Sequence, residues 1–290
     1  MQLARYMTNA GPRIGLIVDG HLLEVWRKRP ALPTTMTRLL AEFDAHRQAL
    51  QRALGHADGA LPLESVRLLA PVEEPRRFLA LGLNYKDHAT EMGIALPKQP
   101  RLFAKLAGAL AAPQADVVAP AFSSTLDYEG ELALVIGRRC RAVARQRAHE
   151  VIAGYMVLND YSVREYVNPD LVILGKSCPG FAPCGPWLTT ADEVQDPQAL
   201  PIKTWVNGEL RQNSTTREMI FGCAELIEWI TRAVELEPGD LITTGSPPGS
   251  GAGMRPARFL RPGDAVRVEI EGLGALTNRI IAEDPHTSKA

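Results

Sequence analysis

The sequence has 290 residues, of which 46% are hydrophobic and 22% charged, and its formal net charge is −1. A chain of this length can bury one large core or two, and its balanced charge gives no electrostatic case for nucleic acid or an anionic membrane as a partner. Residues 1–14 lack an apolar segment of signal-peptide length, and no apolar run reaches the roughly 20 residues that span a bilayer. We therefore expect an intracellular, cytoplasmic protein without a membrane partner.

The N-terminal part of the chain predicts a hairpin followed by a helix. Two apolar runs flank Asp19-Gly20, a turn pair that favours a β-hairpin. Thr34 or Thr35 is a candidate cap for a helix, because the apolar residues that follow keep near-helical spacing over 36–54. Gly55 is expected to end this helix.

A polar, turn-rich segment follows the short predicted strand Phe78–Gly82 and contains His88 and Glu91. Residues three apart in a helical turn are neighbours, and a carboxylate beside a histidine orients the ring and makes it a better base. A histidine near a glutamate in a loop is also typical of an exposed surface pair. The residues alone leave both interpretations open.

Residues 126–137 predict a strand that ends in a β-branched, apolar run. Side chains two apart share a face of a strand, so Asp127, Glu129 and Glu131 are expected on one side. Carboxylates this close repel one another unless a cation lies opposite, and hard divalent ions such as Mg²⁺, Mn²⁺ or Ca²⁺ take such oxygen clusters. An exposed edge strand also carries charge, so this strand alone leaves the metal site open.

Two further polar side chains follow apolar segments. Asp160 comes at the end of a predicted strand, a usual place for a site residue, although an Asx-turn explains a single aspartate equally well. Lys176 follows a short apolar run, where an isolated lysine is usually solvated. The sequence Gly175-Lys176-Ser177 resembles the end of a phosphate-binding loop, but the earlier glycine is missing, and we reject nucleotide binding.

The last third of the chain favours strands over helices. Asn207-Gly208 between two apolar runs predicts a second hairpin, and Thr215 or Thr216 is a candidate cap for a helix with an apolar stripe. Further strands are predicted over 241–244, 265–270 and 275–281.

The spacing of these elements indicates a fold class and a domain boundary. Closely spaced strands favour a β-rich α+β fold over a doubly wound sheet. Proline-rich turns near residue 70 predict a small N-terminal α/β domain, residues 1–70, and a main domain, residues 71–290.

Taken together, these segments resemble the fumarylacetoacetate hydrolase family, in its smaller acylpyruvate-hydrolase-like branch. Each segment alone is weakly specific, but they occur in the family's order and cover the chain from about residue 70 to residue 282. The matching segments are Gly82–Tyr85 with His88 and Glu91, Asp127–Leu132, Asn159–Arg164, Gly175–Ser177, Gly185–Trp187, Val206–Gln212, Leu236–Asp240 with Thr243–Gly245, and Pro262–Asn278.

The resemblance implies a mixed β-roll with a small N-terminal domain, usually a homodimer, that holds a Mg²⁺-type ion. By position, the metal ligands would be Glu129, Glu131 and Asp160. The catalytic residues would be His88 and Glu91, a base dyad on a loop able to close over the site, and Lys176 beside the metal. The residues near the substrate would be Arg164, Thr244 and Gly245.

The activity implied by the resemblance is hydrolytic cleavage of a C–C bond in an acylpyruvate-like 2,4-diketo acid, through a metal-stabilised enolate, in the catabolism of aromatic compounds. The carboxylate and keto oxygens of such a small-molecule substrate can chelate the ion, while His88, oriented by Glu91, takes a proton. The same site would serve a 2-oxo acid decarboxylase, hydratase or isomerase of the 2-hydroxymuconate or 2-oxo-heptenedioate type. A non-catalytic relative that binds a metal or a small molecule is an alternative of another class.

The chain departs from the family pattern at several positions. Leu81 stands seven residues before the dyad histidine, where the founding hydrolase has a further carboxylate ligand, so three protein ligands are expected. Val167 replaces a substrate-contacting glutamine, and Ser246 and Ser250 replace a usual threonine and valine. These departures leave the expected metal ligands complete and the identity of the substrate open.

Overall fold

A computed structural model describes residues 1–29, 31–55 and 59–284, in which strands predominate over helices. The strands are β1 (Gln2–Thr8), β2 (Gly11–Val18), β3 (His21–Leu23), β4 (Leu61–Pro62), β5 (Leu68–Leu69), β6 (Phe78–Gly82), β7 (Arg101–Ala104), β8 (Leu110–Ala111), β9 (Val117–Ala119), β10 (Leu126–Asp127), β11 (Gly130–Ile136), β12 (Ile152–Asn159), β13 (Ser162–Val163), β14 (Ala182–Thr190), β15 (Pro201–Val206), β16 (Glu209–Thr215), β17 (Leu241–Thr243), β18 (Ala265–Ile270) and β19 (Gly274–Ala282). The helices are α1 (Val25–Lys28), α2 (Met36–Ala41), α3 (Phe43–Leu54), α4 (Lys86–Met92), α5 (Val172–Lys176) and α6 (Cys223–Thr231).

Most of these strands join one large mixed sheet. Its order is β4-β3-β2-β1-β14-β12-β11-β17-β6-β7, with β5 paired to β1 and β8 paired to β14. A second sheet, β16-β15-β18-β19-β9, contacts β12 and β14 through β18 and β19, and β10 pairs with β13. This architecture confirms the predicted β-rich α+β fold.

Strands β11 and β12 form the centre of the large sheet. All seven residues of β11 are buried, and its apolar run is typical of a strand with both faces covered. Strand β12 pairs antiparallel with β11 on one side and with β14 on the other. Leu132, Leu134, Met156 and Leu158 from these two strands belong to the main hydrophobic core. The candidate site lies where β11 begins and β12 ends.

Both predicted hairpins are confirmed. The turn Asp19-Gly20 connects β2 to β3, and the turn Asn207-Gly208 connects β15 to β16. Asp19 and Asn207 have positive φ angles of 48° and 51°. Aspartate and asparagine adopt this left-handed conformation more readily than other non-glycine residues, which explains why they stand at the first turn position.

The two long predicted helices differ from the prediction at their ends. The first begins after Thr35, as predicted, but Glu42 divides it into α2 and α3. Thr215 caps a short 3-10 turn instead, and α6, which carries the apolar stripe, begins only at Cys223. The predicted cap is wrong for α6, because Met219 bridges to the residue before α4 and keeps the chain extended there.

The N-terminal strands extend the same sheet that contains β11 and β12, because β1 pairs with β2, β5 and β14. The domain boundary near residue 70 stays a prediction. Within residues 1–29, 31–55 and 59–284, no helix is both long and apolar enough to cross a bilayer.

Gly154 in β12 lies where a side chain would collide with the neighbouring strand, because a Cβ there would be 2.1 Å from the carbonyl oxygen of Thr189 in β14. Gly154→Ala should lower the free energy of unfolding by about 3 kcal/mol and the thermal midpoint by roughly 6–12 °C. Gly82→Ala in β6 is the matched control, since its Cβ would meet no described atom within 4 Å. Equal midpoints for the two variants by circular dichroism would contradict this close strand approach.

Candidate metal centre and active site

Three carboxylates converge at one end of the β11–β12 pair. Glu129 directly precedes β11, Glu131 lies inside it, and Asp160 directly follows β12. The antiparallel register pairs Gly130 with Asn159, which places all three side chains at the same end of the pair. One ligand oxygen from each carboxylate lies within 4.8 Å of the other two. The three residues assigned as metal ligands from the sequence therefore lie together.

These carboxylates are buried, unlike those of an exposed edge strand. Glu131 and Asp160 are fully buried, and Glu129 retains 8% exposure. Burial, with the nearby carboxylates of Asp160 and Glu129, raises the pKa of Glu131 well above its usual range. Its Oε2 accepts from Gly245 N at 2.9 Å, whereas its Oε1 has no hydrogen-bond partner among the described residues. A hard divalent cation would satisfy this oxygen and offset the repulsion, so the residues fit such an ion.

Two cationic side chains neutralise part of this charge. Lys176, at the end of α5, donates from Nζ to Asp160 Oδ2 at 2.9 Å and to Glu129 Oε2. Nη2 of Arg164 forms an ion pair with Oε1 of Glu129 at 2.7 Å. Burial favours the neutral form of Glu129, but the charges of Lys176 and Arg164 outweigh it and hold the pKa of Glu129 well below its ordinary value. Lys176 is 4% exposed, so it is not the solvated lysine that its sequence context favours.

His88 and Glu91 form a hydrogen-bonded pair on the short helix α4. Nδ1 of His88 lies 2.9 Å from Oε2 of Glu91, and the two side chains are 15% and 23% exposed. When Nδ1 donates its proton to Glu91, Nε2 is free to accept one, which is the arrangement of an oriented general base. The pair therefore has the geometry expected of the dyad.

The two other residues assigned to the substrate make contacts within the protein. Thr244 donates its hydroxyl to the carbonyl oxygen of Leu132 at 3.0 Å, and Gly245 donates its N–H to Glu131. Both contacts connect the segment after β17 to β11. The contact of Thr244, Gly245 and Arg164 with a substrate stays a prediction.

Asp127 does not join the three-carboxylate cluster. The strand predicted over 126–137 is interrupted between β10 and β11, and Asp127 shares Arg164 with Glu129 but also accepts from the backbone of a distant loop. Its Oδ2 accepts from Arg164 Nε at 2.7 Å and from Ala252 N at 3.0 Å, and its Oδ1 accepts from Gly251 N at 2.7 Å. The expectation that it shares one strand face with the two glutamates is wrong, because the interruption breaks the strict alternation of side chains.

Lys105 is a candidate site residue that the sequence patterns do not reveal. It follows β7, and its buried Nζ donates to Asp160 Oδ1 at 2.5 Å and to the carbonyl oxygen of Lys176. Burial lowers the pKa of Lys105, and the charge of Asp160 opposes that effect. The pairing of β6 with β7 brings Lys105 to the site. No local spacing in the sequence reports such a pairing.

The fold and the site define a class of protein: a β-rich α+β chain with a buried acidic cluster suited to a hard divalent cation and a histidine–glutamate pair on a nearby helix. Residues 77–281 match the family model described as fumarylacetoacetate (FAA) hydrolase, C-terminal. The chain belongs to the fumarylacetoacetate hydrolase family.

Relatives match beyond that region. The mitochondrial oxaloacetate tautomerase FAHD2B of Bos taurus is 40% identical over 277 residues, which are 94% of this chain and 88% of the relative. The structure of maleylpyruvate hydrolase from Sphingobium sp. SYK-6 with manganese(II) ion and pyruvate is 33% identical, covers 98% of this chain and 100% of its own, and has a TM-score of 0.84. The 5-carboxymethyl-2-hydroxymuconate delta-isomerase from Mycobacterium smegmatis is 32% identical at the same coverage, with a TM-score of 0.77. The predicted family and fold are confirmed.

Some predictions stay open beside these matches. The cytoplasmic location stays a prediction, and FAHD2B is named as a mitochondrial protein. The homodimer, the 2-oxo acid or diketo acid partner and the role in aromatic catabolism also stay predictions.

Glu131→Gln tests the metal site without any substrate. Wild-type protein should gain roughly 5–10 °C in thermal midpoint when Mg²⁺ or Mn²⁺ is added at about 100 times its Kd. The variant should lose this gain, while its midpoint in EDTA stays equal or rises, because the neutral amide avoids the burial cost and the carboxylate repulsion that raise the pKa of Glu131. Differential scanning calorimetry measures both effects. Glu64→Gln, at an exposed position, is the control; an undiminished gain in Glu131→Gln would exclude Glu131 as a ligand.

Proposed function

We propose that the chain is a divalent-metal-dependent enzyme that hydrolyses a C–C bond in an acylpyruvate-like 2,4-diketo acid. The observation that carries the proposal is the buried cluster of three carboxylates together with Lys176 and the hydrogen-bonded pair His88–Glu91. A protein that only binds a metal or a small molecule would need the ligands but not an oriented base. The combination therefore favours catalysis.

The oxygen-only donor set suits a hard cation, and we assign Mg²⁺, with Mn²⁺ or Ca²⁺ as alternatives. Glu129, Glu131 and Asp160 would hold it. When bound, the ion would supply Lewis-acid stabilisation of negative charge on the keto oxygen of the substrate. The maleylpyruvate hydrolase structure with manganese(II) and pyruvate supports a divalent ion and a 2-oxo acid at this site, because pyruvate is the 2-oxo acid that acylpyruvate hydrolysis releases.

Lys176 and Arg164 are the cations available to an anionic substrate. Burial would lower the pKa of Lys176, but the charges of Asp160 and Glu129 outweigh this effect and raise the pKa overall. Lys176 therefore stays an ammonium that can donate to an oxygen on which charge develops. Arg164 retains 19% exposure of its side chain, so its guanidinium can receive the substrate carboxylate.

His88 and Glu91 carry the proton steps. His88 takes a proton from the water that attacks the C4 carbonyl carbon, and Glu91 stabilises the imidazolium that forms. The new C–O bond forms at C4, and the C3–C4 bond then breaks with its electron pair left on the three-carbon fragment. His88 returns its proton to C3. One water is consumed, and the products are a carboxylic acid and pyruvate.

Keto–enol tautomerisation of oxaloacetate is a second candidate, favoured by the name of the 40% identical relative. This reaction needs the same stabilisation of charge on the keto oxygen but no attack by water. His88 would take a proton from C3, and a proton would return at the oxygen. The two candidates therefore share the dyad and differ in whether water reaches an electrophilic carbon.

A substrate panel with Mg²⁺ separates the two reactions. Acylpyruvates should be cleaved with equimolar release of pyruvate, measured with lactate dehydrogenase, and EDTA should stop the reaction until Mg²⁺ is restored. Loss of the ultraviolet absorbance of enol-oxaloacetate, without cleavage of any acylpyruvate, would assign the second candidate. Ligand-dependent thermal stabilisation without turnover on any compound would contradict both and favour a binding protein.

His88→Ala should lower kcat by roughly 10²- to 10⁴-fold, the usual contribution of a general base. The metal-dependent gain in thermal midpoint should persist, because His88 is not among the three candidate ligands. Steady-state kinetics and calorimetry on the same preparation give both values. His149→Ala removes an exposed histidine and should behave as wild type. A wild-type rate in His88→Ala would remove the base role from that residue.

A further inference from the structure

The glycine-rich loop 249–253 contacts Glu91 in two ways. Gly249 donates its N–H to Oε1 of Glu91 at 3.0 Å, while Oε2 of the same carboxylate faces His88. A Cβ on Gly253 would lie 2.7 Å from Oε2 and 2.9 Å from Oε1. The carboxylate therefore lies between the imidazole ring and a stretch of backbone that has no side chain at the point of contact.

The loop is fixed by residues that lead into β11. Asp127 accepts hydrogen bonds from Gly251 N and Ala252 N, and Tyr128 donates its hydroxyl to the carbonyl oxygen of Gly249 at 2.8 Å. Both side chains are fully buried. Because Glu129 and Glu131 of the carboxylate cluster follow directly in the chain, the loop has a defined position relative to the candidate metal site.

Helix α4 has few other polar contacts with the body of the protein. Asp87 accepts from the hydroxyl of Ser214 at 2.5 Å, and the helix is only seven residues long. Among the described residues, the loop thus connects the buried residues Asp127 and Tyr128 to the carboxylate of Glu91 by hydrogen bonds.

We propose that loop 249–253 is a positioning element for the base. The N–H of Gly249 holds the Glu91 carboxylate against His88, and Gly253 leaves room for that carboxylate because it has no side chain. The inference rests on the proposed base role of His88. Gly253 is a positioning residue, because it acts through Glu91 and touches no reacting atom. Displacing the carboxylate by about 1 Å would turn the imidazole, and errors of that size cost up to about 10²-fold in rate.

Gly253→Ala tests this role at little structural cost. Gly253 does not have a positive φ, and the atoms that its Cβ would meet are the far end of a flexible side chain. Glu91 rather than the backbone must therefore move. We expect kcat to fall about 10- to 100-fold, with KM and the metal-induced thermal gain little changed. Gly108→Ala, whose Cβ would meet no atom of the described chain within 4 Å, should match wild type.

A double-mutant cycle with Glu91→Ala separates positioning from general damage to the fold. Adding Gly253→Ala to Glu91→Ala should lower kcat no further, because no carboxylate remains to be displaced. If Gly253→Ala alone lowers the thermal midpoint through crowding, the double variant should restore it. Equal losses of kcat in both backgrounds would overturn the proposal.

The ring nitrogens of His88 give a readout that needs no turnover. In histidine-labelled protein, Gly253→Ala should change the ¹⁵N shifts of the His88 ring, which are assigned by their loss in His88→Ala. Gly108→Ala should leave them unchanged. If no compound of the panel is turned over, the proposed function fails, but changed His88 shifts still support the positioning role. Unchanged shifts in Gly253→Ala overturn it.

Discussion

Burial of several charges at one end of β11 and β12 is the constraint on which the rest of the structure depends. A charge removed from water destabilises the fold strongly unless a partner compensates it. Glu129 and Asp160 share Lys176, and Asp160 also has Lys105. Within the described chain, Glu131 has a backbone N–H on one oxygen and no hydrogen bond on the other. A divalent ion would therefore compensate Oε1 of Glu131, the oxygen of the cluster that lacks a hydrogen bond among the described residues.

The five-stranded sheet explains why a glycine separates the two glutamates of this cluster. A Cβ on Gly130 would lie 2.5 Å from Oγ1 of Thr204 in β15 and 2.8 Å from Val268 in β18. Gln212 in β16 accepts from Gly130 N at 2.9 Å and donates to Ser246 Oγ at 2.7 Å. The second sheet thus packs directly against the backbone between the carboxylates. The amide side chain of Gln212 also fixes the segment that leads into the glycine loop.

Local rules in the sequence predict the parts of the site that depend on near neighbours. The two-residue period of a strand places Glu129 and Glu131 together, and the three-residue separation in a helical turn places His88 beside Glu91. Asp160 is predicted as a metal ligand from its position among the ordered motifs of the family. Lys105 is missed because it reaches the site through a pairing of strands that no local pattern encodes. Local patterns also fail to predict the interruption between β10 and β11. Asp127, just before it, is bonded to loop 249–253, which lies more than a hundred residues later in the chain.

The two parts of the candidate chemistry are built differently for a physical reason. The carboxylates lie within or directly beside the central strands β11 and β12, where backbone pairing and opposite charges fix them. His88 and Glu91 lie instead on a partly exposed helix of seven residues. A helix this short is not stable on its own in water, so its contacts impose its geometry. The proposed base would have to admit and release a substrate, so it cannot be enclosed as the cluster is. A loop that contacts Glu91 through glycines and is anchored beside β11 suits both demands, because it orients Glu91 without placing a side chain at the contact.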